Sequence, residues 1–149
     1  LKRCCCAVFN KKGLITREED LMLGEIISRG VACGPALIPA DWDERTLVRF
    51  EDGAITITFK NGTAAVSAAD TPDAEAVIEM SKKRLCDCID GSIDFMTIWR
   101  ELAEPSPTDR RYIKKGSGAK LITVVDLLSR VYRADAAFKK LVNEYKSTL

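Results

Sequence analysis

The stretch TPDAEAVIEMSKKRLCDCIDGSIDF, residues 71–95, changes its hydrophobic rhythm halfway along, and that change decides the fold class. From Ala74 to Met80 apolar residues fall on every second position, with Glu75 and Glu79 on the opposite side, the pattern of a half-buried strand. After Ser81 the spacing becomes helical. Leu85, Cys88 and Ile89 share one stripe, and Gly91 stands where a helix takes a left-handed terminator. The segment contains no histidine, no glycine-rich phosphate loop and no nucleophile beside a base. Its amphipathic surface therefore points to packing or binding before chemistry.

Upstream of this stretch the chain reads as strands. Strands are expected over 46–51, 54–60 and 63–68, with Asp52-Gly53 and Asn61-Gly62 as two-residue hairpin turns. Ile55, Ile57 and Phe59 point one way, Thr56 and Thr58 the other, and Ala64 and Val66 continue the apolar side. Four strands thus share one apolar side that something must cover. A helix opened by the capping pair Thr16 and Glu19 runs through Leu21, Ile26 and Ile27, with Gly30 as its stop. Gly34, Pro35 and Pro39 mark the loop that follows.

Downstream, Phe95, Met96, Ile98, Trp99 and Leu102 give a helix with a broad apolar stripe, ended by Pro105 and Pro107. Tyr112 and Ile113 with their basic flanks read as a short fifth strand. Leu121, Val124, Val125, Leu128, Val131 and Tyr132 recur at helical spacing after Gly116-Ser117-Gly118. Phe138, Leu141, Val142 and Tyr145 form a last amphipathic helix after Asp135. The expected class is α+β, a five-stranded, mostly antiparallel sheet with one face covered by helices. One domain is expected over 1–149, with an N-terminal helix-and-loop extension over 1–45, a core over 46–133 and a C-terminal helix over 134–149.

Composition narrows the function classes. At 149 residues one domain can bury roughly 70% of its unfolded surface. Lys plus Arg number 23 against 22 Asp plus Glu, so no global field steers the chain to nucleic acid or to an anionic membrane. No apolar run approaches the ~18 residues that span a bilayer, and the first residues lack a signal-peptide h-region. The expectation is a cytoplasmic protein without stable membrane insertion.

With no histidine, the usual general base and the commonest metal ligand are missing, and a non-enzyme without cofactor or metal is expected. The cysteines, Cys4-Cys5-Cys6, Cys33 and Cys86-x-Cys88, lack paired C-x-x-C spacing and read as reduced thiols. Cys86 and Cys88 are about 200° apart around a helix, a poor geometry for one metal or disulfide. The Cys4 to Cys6 run could be acylated, bind a soft metal or act as a redox site. Asp87, Asp90 and Asp94 gather at a helix junction, where capping and solvation explain them. Gly116-x-Gly118 is no dinucleotide fingerprint, because Leu121 holds the third glycine position.

The succession of two hairpins, PDAEAVIEMS, a short helix, DGSIDF, an amphipathic helix and a short strand feeding GSGAKLITVVDLLSRV resembles the sterol carrier protein type 2 family. The matching residues are Asp73, Ser81, Gly91, Phe95, Gly116 and Gly118, and the likeness covers about Leu47 to Arg133. It implies a sheet and helices enclosing an apolar tunnel that binds a sterol, fatty acyl chain, acyl-coenzyme A or phospholipid without catalysis. The residues expected to contact lipid are Ile57, Phe59, Ile78, Met80, Phe95, Met96, Trp99, Val124, Val125 and Leu128. Read without the resemblance, this set is an ordinary core. Lys82-Lys83-Arg84, Arg110-Arg111 and Lys114-Lys115 could meet lipid phosphates or coenzyme A at a tunnel mouth, or be solvated faces. The EPSPTDRR connection and the first 45 residues depart from the family pattern. The terminal KSTL lacks the peroxisomal S-K-L signal. The rival readings are an accessory module that dimerises or docks on a partner enzyme through the apolar groove, and a thiol-dependent enzyme or redox protein that uses the cysteine clusters.

Overall fold

The computed structural model describes the backbone of residues 8–9, 15–16, 18–34 and 37–149, and the side chains of residues 21–34 and 37–149. Strands β1 (Glu44–Phe50), β2 (Gly53–Lys60), β3 (Thr63–Ser67), β4 (Ala76–Glu79) and β5 (Ile113–Lys115) form a sheet of order β3-β2-β1-β4-β5. Every neighbouring pair is antiparallel except β1 and β4. After the β1-β2-β3 meander the chain recrosses the sheet to reach the far side of β1, and β4 therefore enters parallel to it. Val8–Phe9 pairs with Ile15–Thr16 in a separate antiparallel ladder.

The second hairpin has the expected turn. Asn61 and Gly62 both take positive φ, 53° and 73°, the left-handed pair that a two-residue connection needs. The first is shifted by one residue. Phe50 pairs with Gly53, so Glu51 and Asp52 form the turn and Gly53 already belongs to β2. This register sets Val48 opposite Ile55 and Thr46 opposite Ile57. A slip of one residue would turn the apolar set of β2 outward.

Helices complete the fold among the described residues: α1 (Glu18–Ala32), α2 (Lys82–Asp90), α3 (Phe95–Ile98) running into a π-turn (Trp99–Ala103), α4 (Ala119–Ala134) and α5 (Ala136–Lys146). They cover the sheet face that carries Val48, Phe50, Ile55, Ile57, Phe59, Ile78 and Met80, and one apolar cluster joins these residues to Leu85, Leu121, Val124, Val125, Leu128 and Phe138. Lys120 at the head of α4 meets Glu44 at 2.7 Å and lies over the Trp42 ring, which in turn packs edge-on against Phe59. The α4 stripe is thereby set against the sheet.

The central pair is covered on its second face as well. Leu47, Ala54, Ala74 and Val77 make a small cluster there beneath the recrossing segment. Thr56 donates to the carbonyl of Ala69 at 2.7 Å, and Arg49 pairs with Asp70 at 3.0 Å, fastening that segment to the sheet. Double coverage explains why β4 is buried at Ala76, Val77 and Ile78 alike, where alternation predicted one buried side.

Gly30 does not stop α1, which continues to Ala32. It is a packing residue. A Cβ at position 30 would lie 2.0 Å from Cδ2 of Leu128 and 3.1 Å from Cζ of Phe138. The absent side chain is what lets α1 approach α4 and α5. The capping pair Thr16 and Glu19 falls outside the residues whose side chains are described.

Gly30→Ala should lower the thermal midpoint. The overpacking cost of about 1–3 kcal/mol exceeds the roughly 1 kcal/mol gained in helix propensity. Adding Leu128→Ala should recover part of the helix-propensity gain by removing the clash, measurable as a non-additive double-mutant cycle in chemical denaturation.

Candidate functional site

The ten residues expected to contact lipid divide into two groups. Ile57, Phe59, Ile78, Met80, Val124, Val125 and Leu128 lie in the continuous interior between sheet and helices, none more than 7% exposed. Phe95, Met96 and Trp99 face outward, at 46%, 59% and 36% exposed. They stand together on the α3 and π-turn segment, with the Phe95 and Trp99 ring centroids 6.3 Å apart.

The broad stripe predicted for this helix is divided between two surfaces, and its second half, Trp99–Ala103, is not regular α. The N–H of Glu104 reaches the carbonyl of Trp99, five residues back, at 3.1 Å. Ile98 and Leu102 turn inward and join the core, whereas Phe95, Met96 and Trp99 are left on the solvent side. The segment is a flap one helix wide, apolar on both surfaces.

Beside the burial of Ile98 and Leu102, the flap has polar fastenings. Asp94 caps the start, accepting from the N–H of Thr97 at 3.0 Å and from its hydroxyl at 2.7 Å, and these bonds hold the Asp94 carboxyl below the usual carboxylate range. Glu101 pairs with Arg84 of α2, whose guanidinium also lies over the Tyr112 ring at 4.8 Å. The N–H of Gly118 donates to the carbonyl of Leu102 at 3.0 Å. A Cβ on Gly118 would approach that carbonyl oxygen to 2.6 Å, and Gly116, with φ +67°, would drive one to 2.5 Å from the carbonyl oxygen of Glu75. The Gly-Ser-Gly sequence thus serves close approach of β5 and α4 to the flap and to β4.

The basic residues considered for a lipid headgroup are mostly engaged within the protein. Lys82 is buried and meets Asp52 at 3.0 Å, Lys83 meets Asp87 at 3.0 Å, and Arg111 meets Asp109 at 3.1 Å. Arg110 donates to the carbonyl of Gly116 at 3.1 Å. Lys114 and Lys115 are exposed on β5.

A polar clasp holds the last helix. Lys146 of α5 reaches Asp87 at 2.5 Å and Asp90 at 2.6 Å on α2. Burial alone would push both carboxyls up, but the hydrogen bonds from Lys146, with those from Lys83 to Asp87 and from Ser92 to Asp90, hold both below the usual range. The two carboxylates raise Lys146 in return. Asp94 caps a helix as expected; Asp87 and Asp90 have this further role, which sequence spacing could not show because Lys146 lies 56 residues beyond Asp90.

Burial pushes the Cys86 thiol up to about 12 and the Cys88 thiol up to about 11. Both stay protonated at neutral pH, the opposite of an activated thiolate. Cys33 is exposed and donates to the carbonyl of Arg29 at 3.3 Å. The Cys4 to Cys6 run lies outside the described residues. Among the described residues no group of three or more Cys, Asp or Glu side chains is placed to hold a metal ion, and no helix is long and apolar enough to cross a membrane.

Three solved structures are similar to this chain. One is the ubiquinone synthesis protein UbiJ-SCP2, at a TM-score of 0.48 and 11% identity, covering 78% of this chain and 90% of that one. Another is sterol carrier protein 2, at 0.45 and 13%, covering 83% and 92%. The third is a conserved hypothetical protein from Thermus thermophilus, at 0.40 and 15%, covering 83% and 89%. No family model and no curated protein matches the chain. At these TM-scores and identities the likeness transfers neither a ligand nor a partner to this chain.

Alkylation under native conditions, followed by peptide mapping, should modify Cys33 at least tenfold faster than Cys86 or Cys88. The clasp sets an acid limit. Asp87 and Asp90 titrate lower in the folded chain than in the unfolded one, so their contribution is complete above about pH 4 and is lost as pH falls through the folded values. Lys146, raised by the same contacts, keeps its contribution until pH climbs above about 10.4. Lys146→Met should cost about 1–3 kcal/mol at pH 7 by removing the cation shared by two partly buried carboxylates, and the difference from wild type should shrink towards pH 3 in urea titrations.

Proposed function

We propose that this protein binds an apolar lipid reversibly and without catalysis, admitting it to the interior beneath the α3 and π-turn flap. The observation that supports the reading is the two-sided flap itself. Ile98 and Leu102 extend the core outward, and Phe95, Met96 and Trp99 offer apolar surface to an arriving chain. Outward rotation of the flap would break the Arg84 contact to Glu101 and the Gly118 contact to Leu102, and would lift Ile98 and Leu102 from the core to admit a ligand.

Transfer from water is worth about 0.8 kcal/mol per methylene, so a long acyl chain or a sterol ring system can offset both contacts and the separation of apolar side chains. No reactive group is needed. In this reading the ligand is a sterol, a fatty acyl chain, an acyl-coenzyme A or a phospholipid, and the protein carries it in the cytoplasm, a compartment consistent with the free thiols of Cys33, Cys86 and Cys88.

A second reading has the exposure of Phe95, Met96 and Trp99 in its favour. The same side chains could form the centre of a docking surface for a partner enzyme, for which aromatic and methionine anchors are well suited.

Native mass spectrometry of the purified full chain, joined to organic extraction, should find a retained lipid of one class. Met96→Asp combined with Trp99→Ala should reduce binding of a fluorescent fatty acid by roughly tenfold, about 1.4 kcal/mol, with the thermal midpoint little changed. A lipid-free mass together with no saturable uptake of fatty acid or sterol would overturn the carrier reading and leave the docking one.

A further inference from the structure

The two edges of the sheet differ in protection. At one edge, β5 is only three residues long and presents Lys114 and Lys115, a charged margin that discourages pairing with another chain. At the other, β3 reads Thr63-Ala64-Ala65-Val66-Ser67, with no charge and no proline. The turn at Asn61-Gly62 closes on the pair Lys60 and Thr63, and the antiparallel alternation then directs the N–H and C=O groups of Thr63, Ala65 and Ser67 to β2. Those of Ala64 and Val66 are directed to the side on which, among the described residues, no strand pairs with β3.

Beside this edge lies a groove of about 520 Å³, lined by Leu21, Gly24, Glu25, Ser28 and Arg29 of α1 together with Val66 and Ala68. Gly24 sits over Val66, where a Cβ would meet Cγ1 at 3.6 Å.

We propose that β3 and the adjoining face of α1 form the interface for a second copy of this chain, joining the two sheets through antiparallel pairing of β3 with β3. The sequence of the strand is self-complementary about Ala65. A two-fold axis there sets Ala64 opposite Val66 of the other copy, the two positions whose backbone groups face outward, so each exchanges N–H and C=O with its mate. On the outer face the same register sets Thr63 against Ser67, a hydroxyl pair, and Ala65 against itself, the smallest side chain at the point of closest approach. Charge agrees with this symmetry. Glu25 and Arg29 are four residues apart on α1, and a two-fold axis passing between them brings each beside the opposite charge of the partner helix, as an isologous interface requires. The groove beside the edge is then filled by the partner's α1.

Sedimentation velocity of the full chain should show a particle of twice 16.5 kDa. Ala65→Lys, which opposes like charges on the axis while leaving the β2 ladder untouched, should return the single-chain mass with an unchanged circular dichroism spectrum. Arg29→Glu should weaken association at least tenfold, and the exchange Glu25→Arg with Arg29→Glu should restore it. The exchange separates a docking contact from damage to the fold. A wild-type chain that sediments as a single copy at every soluble concentration overturns the proposal. So does a dimer that survives both Ala65→Lys and Arg29→Glu.

Discussion

Leu128 occupies the volume that a side chain at residue 30 would need, and the arrangement of the helical layer depends on that substitution of one group for another. Close approach of α1 and α4 brings Phe138 of α5 into the same contact and lets the α4 stripe lie flat against Ile57, Phe59 and Ile78. With a larger residue at position 30 the helices would separate, and the apolar side of the sheet would lose its cover where it is widest. Everything proposed for the flap presupposes this layer, because Ile98 and Leu102 have a core to join only while α4 holds its place.

The sheet was largely legible because its signals are local. Alternation in Ile55, Ile57 and Phe59, and the Asn61-Gly62 turn, both act over a few residues, and the structure keeps them. Gly30 has the look of a terminator because the sequence shows a glycine's freedom but not what approaches it; the approaching group, Leu128, is about 100 residues away. The Asp52-Gly53 turn moved by one position for a related reason. Facing apolar residues across β1 and β2 fixed the register, and the turn adapted to it.

The candidate site was legible in its interior and not at its rim. Helical periodicity assigns one stripe to residues 95–102, whereas the structure divides these residues between two surfaces and ends the segment in a π-turn. No sequence period distinguishes these outcomes, since the extra residue in the turn is settled by tertiary contacts such as those of Leu102 with Gly118 and of Glu101 with Arg84. Likewise the Asp87 and Asp90 carboxylates carried no mark of their partner. Their role emerges only when α5 packs against α2.

The parallel placement of β4 beside β1 has a consequence for the nascent chain. The β1-β2-β3 meander can form as soon as residue 67 has left the ribosome, but it then has two open edges, and the β1 edge, flanked by Leu47 and Val48, is destined for the centre of the sheet. Until residues 76–79 emerge and recross the face, that apolar edge is available to any other extended segment. At roughly 5–20 residues per second the interval is on the order of a second. The recrossing segment, held by Thr56 and Arg49, is therefore also the part of the chain that brings β4 to close this edge.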